Sequence, residues 1–222
     1  MIHRDTILWD LDGTLLNTLT DLTDSVNAAL TNCGLPPRSR QEVRGFVGNG
    51  IRLLMERAVP DGAANPLFER TFHTFKAHYA KNCNNHTRPF AGIPEVLETL
   101  SREGYRMGVV SNKIEPAVQE LVQLYFASSI EVAVGDAPGY EKKPAPDNPK
   151  RALELLNSDR NRALYIGDSR VDIQTAQNCG LPMIIVDWGY QSKEELVALG
   201  GKNIVSAPSQ LLAAIHRLSA AE

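Results

Sequence analysis

Residues 7–14 read Ile7-Leu8-Trp9-Asp10-Leu11-Asp12-Gly13-Thr14. A short apolar run stops at a carboxylate, and a second carboxylate and a glycine follow at once. Runs this short and this apolar suit strands buried on both faces of a parallel sheet. Four more runs repeat the pattern: Tyr105 to Val110 ending at Ser111, Ile130 to Val134, Ala163 to Ile166 ending at Gly167-Asp168, and Met183 to Val186. Helical periods lie between most of them. Pro94 to Arg102 opens on proline and stops before Gly104, and Val171 to Cys179 ends at Gly180 with Pro182 beyond. The alternation predicts an α/β fold, a Rossmann-like parallel sheet with helices on both faces.

One stretch breaks the alternation. From Asn17 to Arg88 the chain reads helical, with no convincing strand. Leu19, Leu22, Val26, Ala29 and Leu30 keep a helical period, and Ser39 with Glu42 forms a capping-box pattern. Ile51, Leu54, Met55 and Ala58 mark a third helix, and Phe68, Phe72, Phe75 and Tyr79 a fourth. This is too much helix for one crossover. It predicts a small helical domain over residues 17–88, inserted into an α/β core made of residues 1–16 and 89–222.

The chain has 222 residues, 43% hydrophobic and 22% charged, a normal globular balance with enough length for a large core. A net charge of -3 without a block of like charge argues against a nucleic-acid surface. Three scattered cysteines form neither a disulfide framework nor a zinc motif. No secretory h-region and no run long enough to span a bilayer is present, so the expectation is a cytoplasmic protein without membrane partners. The histidines have no metalloprotease or triad context and are assigned no catalysis.

The chemistry sits at the strand ends, where open α/β sheets bind ligands. Asp10 and Asp12, two apart on extended chain, can face one site. Two such carboxylates need compensation, and oxygen-only ligands favour magnesium over zinc. Ser111 ends an apolar strand, where its hydroxyl and the Asn112 N–H can hold a phosphate oxygen. Lys143 lies in a proline-stiffened loop, Lys142-Lys143-Pro144-Ala145-Pro146, suited to aiming one compact ammonium. Asp168 ends another strand as a further ligand for the cation, and Asp172 follows one helical turn later, placed to bind a metal-held water or orient its neighbours. Helix capping by Asp168 or Ser169 is the alternative use of that segment. Anions for a cation, together with donors for an anion, are the parts phosphoryl transfer needs.

These motifs, in this order and over the whole chain, resemble the haloacid dehalogenase superfamily, and within it phosphoglycolate phosphatase-like members with a helical cap after the first strand. The resemblance implies that Asp10 attacks phosphorus and carries an acyl-phosphate. It implies that Asp12 protonates the leaving alkoxide and then deprotonates water. Mg2+ would be held by the Asp10 carboxylate, the Asp12 carbonyl and the Asp168 carboxylate, with Ser111, Asn112 and Lys143 on the phosphoryl group. Asp12 favours the phosphohydrolase branch over the dehalogenases. Asn17 departs from the aspartate that many relatives carry at the cap hinge.

The expected activity is hydrolysis of a small phosphomonoester, phosphoglycolate first, by a monomer or homodimer. The alternatives are a pyrophosphatase, a sugar-phosphate phosphatase or phosphoglucomutase, and, distantly, a receiver-type signalling module. Within the lid, Arg44, Asn49 and Arg52 are the candidates for contacting the rest of the substrate, with hinges at residues 16–18 and 87–90.

Overall fold

The computed structural model describes residues 4–220; His3 lies outside the described residues. The chain runs β1 (Thr6–Trp9), β2 (Leu16–Asn17), α1 (Leu19–Asn32), α2 (Arg40–Phe46), α3 (Ile51–Ala58) and α4 (Phe68–Asn82). It continues through β3 (Arg88–Pro89), α5 (Ile93–Arg102), β4 (Arg106–Ile114), α6 (Glu115–Phe126), β5 (Val132–Asp136) and α7 (Asp147–Leu155). It closes with β6 (Ala163–Gly167), α8 (Arg170–Cys179), β7 (Met183–Ile185), α9 (Lys193–Ala198) and α10 (Leu211–Ser219). Two compact units result, one formed by residues 1–16 and 89–222 and the other by residues 17–88. No helix among the described residues is long and apolar enough to cross a membrane.

The first unit is built on a five-stranded sheet in the order β5-β4-β1-β6-β7. Its described pairings are parallel. Strand parity explains why the sequence runs are continuously apolar. Ile7 and Trp9 point into one core layer with Leu164, Ile166 and Ile184, covered by side chains of α5, α6 and α10. Leu8 points into the other with Tyr165, Met183 and Ile185, covered by α7, α8 and α9. Both faces are buried, so neither position of the period is free to be polar. The strand order reverses beside β1, with β4 on one side and β6 on the other. That is the position where a doubly wound sheet opens a crevice at its carboxyl ends.

Three boundaries differ from the sequence reading. β4 runs past Ser111 to Ile114, because pairing with β5 resumes at Ile114 and Asp136 after a register shift. The expected strand start at Ile130 is instead a helix-terminal turn, since the Ile130 N–H donates to the Phe126 carbonyl. The stretch read as wholly helical is bounded by the short strands β2 and β3, which pair with each other.

In the second unit, α1 packs along α4. Phe68, Phe72, Phe75 and Tyr79 of α4 are buried. Ser39 and Glu42 close a reciprocal capping box at the start of α2. Asp21, 1% exposed, accepts hydrogen bonds from the His86 N–H, the Thr87 N–H and the Thr87 hydroxyl at 2.9, 2.9 and 2.8 Å. A buried carboxylate this well bonded fixes the returning end of the unit to the first turns of α1. Asp21→Ala strands those donors, and the expected loss is about 2–4 kcal/mol in urea denaturation. A loss under about 0.5 kcal/mol would show that water replaces the carboxylate without cost.

Candidate active site

All the groups gathered here belong to the first unit. Asp10 follows β1 and its N–H donates to the Ile166 carbonyl at 2.8 Å, which sets it level with the end of β6. The chain then turns tightly, with the Leu15 and Leu16 N–H groups on the Leu11 carbonyl at 3.0 and 2.9 Å. Gly13 makes the turn possible at φ +92°, and a Cβ there would lie 2.4 Å from Asp168 Oδ2. Glycine is therefore required both by the backbone and by the carboxylate beside it.

Asp168 follows β6. It accepts from the Thr14 hydroxyl at 3.2 Å and from the Tyr190 N–H at 2.8 Å. Asp172 closes a capping box with Ser169 at the start of α8 and uses Oδ2 for it. Its Oδ1 accepts from Lys143 Nζ at 2.9 Å and from the Tyr165 hydroxyl at 3.0 Å. Of the two residues read as possible caps, Ser169 is the N-cap, and Asp172 serves both its capping box and the lysine. Lys143 Nζ also reaches Asp10 Oδ1 at 2.6 Å and the Tyr165 oxygen at 3.0 Å. The lysine loop is tied on two sides, by Asn112 Nδ2 on the Lys143 carbonyl at 3.0 Å and Asn178 Nδ2 on the Pro144 carbonyl at 2.8 Å.

Oxygens of Asp10, Asp168 and Asp172 lie within 4.8 Å of one another, all three buried. Burial pushes the Asp10 carboxyl from the ordinary 3.8 up to about 7; the Asp172 charge adds to the rise and Lys143 opposes it. Burial likewise drives Asp168 well upward, helped by Asp172 and Asp10. Burial works against the Lys143 charge, but Asp10 and Asp172 outweigh it, and the ammonium stays protonated. Burial keeps the Tyr165 phenol neutral, so it can donate to Asp172. With all three aspartates ionised, the cluster would carry more negative charge than its lysine offsets. Asp10 Oδ2 accepts no hydrogen bond among the described residues, and hard oxygen donors around such a deficit fit a divalent cation.

Ser111, 2% exposed, accepts from the Lys113 N–H at 3.2 Å, and its own hydrogen has no acceptor among the described residues. Asp12 is paired with Lys113, whose Nζ lies 3.0 Å from Oδ1. Arg44, Asn49 and Arg52 belong to the other unit and are exposed there. Asn49 accepts from Arg57 at 3.2 Å, and Arg52 binds Glu69 at 2.5 Å with its guanidinium over the Phe68 and Phe72 rings.

Lys113, Tyr165, Thr14 and the Tyr190 N–H are site groups the sequence reading did not single out. Lys113 lies two residues past Ser111, but nothing in the sequence distinguishes it from a solvated lysine. Tyr165 was findable as a hydroxyl inside an apolar strand, which needs a partner when buried. A backbone donor such as the Tyr190 N–H leaves no side-chain signal.

Residues 7–186 match the haloacid dehalogenase-like hydrolase family. A phosphoglycolate phosphatase of Aquifex aeolicus is 32% identical, over 83% of this chain and 85% of that protein. An N-acetylmuramic acid 6-phosphate phosphatase of Pseudomonas aeruginosa is also 32% identical, over 95% and 94%. The solved structure of a candidate phosphoglycolate phosphatase from Lactobacillus delbrueckii superposes with a TM-score of 0.92 at 32% identity, covering 96% of this chain and 98% of that one.

Protons and a divalent cation should compete for this cluster. A carboxyl whose pKa is raised on folding contributes stability below its unfolded value, near 3.8 for Asp10, and loses it as pH rises toward about 7. The cation-free protein should therefore weaken over that window, while the rise in Tm on adding magnesium grows from pH 5.5 to pH 8. A magnesium shift that is flat or larger at the acid end would refute the competition. Gly189→Ala tests the cradle itself, because a Cβ there would lie 2.1 Å from Asp168 Oδ2. Calorimetry should show magnesium affinity reduced about 10–100-fold with the fold retained, and unchanged affinity would remove Asp168 from the cation site.

Proposed function

This chain belongs to the haloacid dehalogenase-like hydrolases, and on that premise we propose that it is a magnesium-dependent phosphatase hydrolysing a small-molecule phosphomonoester through an aspartyl-phosphate on Asp10. The observation that carries the reading is the setting of Asp10: a carboxylate at the central strand end, 2.6 Å from a charged lysine and beside two further buried aspartates. In this reading the Asp10 carboxylate attacks phosphorus while the P–O bond to the leaving alkoxide breaks. Asp12 gives that oxygen a proton, then takes one from the water that attacks the acyl-phosphate, releasing inorganic phosphate and restoring Asp10. Lys143 offsets charge on Asp10 and on the phosphoryl oxygens, and its pairing with Asp172 and Tyr165 keeps it from turning away. The Ser111 hydroxyl and the Asn112 N–H receive the remaining phosphoryl oxygen.

The Asp10 and Asp168 carboxylates, with the Asp12 carbonyl, would hold the magnesium. When bound, the ion supplies positive charge that keeps Asp10 ionised and lets it meet a dianionic ester. Residues 17–88, a compact unit of their own, are assigned as the cap and residues 1–16 with 89–222 as the hydrolase core. Arg44, Asn49 and Arg52 are its proposed specificity positions. Phosphoglycolate is the first substrate to test, because curated relatives named for it recur at 31–33% identity. The muramic acid relative shows that similar chains also act on a larger phosphate ester. The site is proposed to work in the cytoplasm, in a monomer or homodimer.

Asp10→Asn should abolish turnover of phosphoglycolate, by at least about 10³-fold, with an unchanged circular dichroism spectrum. Asp12→Asn should slow both formation and hydrolysis of the phospho-enzyme by about 10²-fold or more in rapid-quench experiments. Retained turnover in the first variant would move the nucleophile elsewhere. Slowing of formation alone in the second would end the double role of Asp12. A panel of phosphoglycolate, pyrophosphate, hexose phosphates and an amino-sugar phosphate ranks the substrate classes.

A further inference from the structure

Two buried ammonium groups stand at the strand ends, and the chemistry above uses only Lys143. The other, Lys113 Nζ, lies 3.0 Å from Asp12 Oδ1 and 3.4 Å from Asp12 Oδ2. Its side chain is 4% exposed against 17% for Asp12, so the cation lies on the inner side of the pair and the carboxylate on the open side. An ammonium buried to this degree requires a counter-charge, which makes the pairing obligatory for the folded chain.

The backbone at Lys113 is itself held. Ser111 and Lys113 are buried, and Asn112 between them bonds the Lys143 carbonyl. The Lys113 N–H donates to Ser111 Oγ, and β5 approaches so closely that a Cβ on Gly135 would come 2.5 Å from the Lys113 carbonyl oxygen. On the aspartate side the turn is fixed through the backbone, by the Gly13 N–H on the Leu16 carbonyl at 2.8 Å. The Asp12 side chain takes no part in those turn bonds. Among the described residues, the Lys113 ammonium is the donor that meets its carboxylate.

We propose that Lys113 is a positioning residue, holding the Asp12 carboxylate in the orientation from which it exchanges protons with the leaving-group oxygen. This rests on the assignment of Asp12 as acid and base given above. Lys113 transfers no proton. It restricts a half-open side chain to one orientation, and orientation carries a large share of the advantage of an intramolecular catalyst. The dependence on Lys113 should then follow the leaving group. An alkoxide needs the proton as the P–O bond breaks, whereas para-nitrophenolate departs without it.

The test compares kcat/KM for phosphoglycolate and para-nitrophenyl phosphate in magnesium-loaded wild type, Lys113→Met, Lys113→Arg, Asp12→Asn and the Lys113→Met/Asp12→Asn double variant. Lys113→Met should lower the phosphoglycolate value about 30–100-fold and the para-nitrophenyl value less than about threefold. Lys113→Arg, which keeps the cation, should recover most of the loss. The double variant should be no slower than Asp12→Asn alone, since both changes remove one function. Equal losses on both esters, or losses that multiply in the double variant, would overturn the proposal. So would a rise in KM for phosphoglycolate at unchanged kcat, which would make Lys113 a ligand for the substrate carboxylate. If Lys113→Met shows no cooperative melt, Lys113→Gln and Lys113→Arg carry the same comparison. A wild type inactive on every phosphate ester would instead remove the phosphatase reading, and an active wild type with an unaffected Asp12→Asn would remove the acid–base assignment.

Discussion

Four aspartates, Asp10, Asp12, Asp168 and Asp172, meet two lysines, Lys113 and Lys143, at the carboxyl ends of adjacent strands, and all but Asp12 are buried. Four carboxylates against two ammonium groups would leave an excess of negative charge among the described residues, which is expensive to hold away from water. Much of the surrounding structure is arranged to tolerate it. Gly13, Gly167 and Gly189 carry no side chain because a Cβ at each would strike the Asp168 or Asp172 carboxylate. Ser169 and Tyr165 spend their hydroxyls on Asp172, and Thr14 spends its own on Asp168.

The core of that arrangement was legible in the sequence because it depends on strand ends. Asp10, Ser111 and Asp168 each stop an apolar run, and parallel sheets bring such stops to one edge. Lys143 was legible through the prolines that stiffen its loop. Less was legible where a neighbour decided the outcome. β4 outlasts its apolar run because β5 continues to pair with it, and Ile130 leaves its predicted strand for a helix-terminal turn. Lys113 reads as a solvated lysine until the burial of its stem is known. Helix capping, weighed for Asp168 or Ser169, falls to Ser169, and Asp172 completes that capping box while also holding Lys143.

The inserted unit behaves differently. Its aromatic stripe and capping box were plain, since both follow from local period and spacing. Its polar candidates were not, because an exposed side chain can be claimed by several partners within reach. Arg52 is engaged by Glu69, Glu56 and two aromatic rings, and Asn49 by Arg57. Whichever substrate the chain takes, these internal ties must be exchanged for new ones if the residues are to bind it, and that exchange lowers the net affinity each can contribute.

The pairing of β2 with β3 brings together two points of the chain separated by the whole of residues 17–88. For the sheet, an insertion whose ends meet is equivalent to a tight connection, so its length adds little to the entropy of closing the fold. Such a segment is free to lengthen, shorten or be replaced over evolutionary time while the reaction centre keeps its geometry.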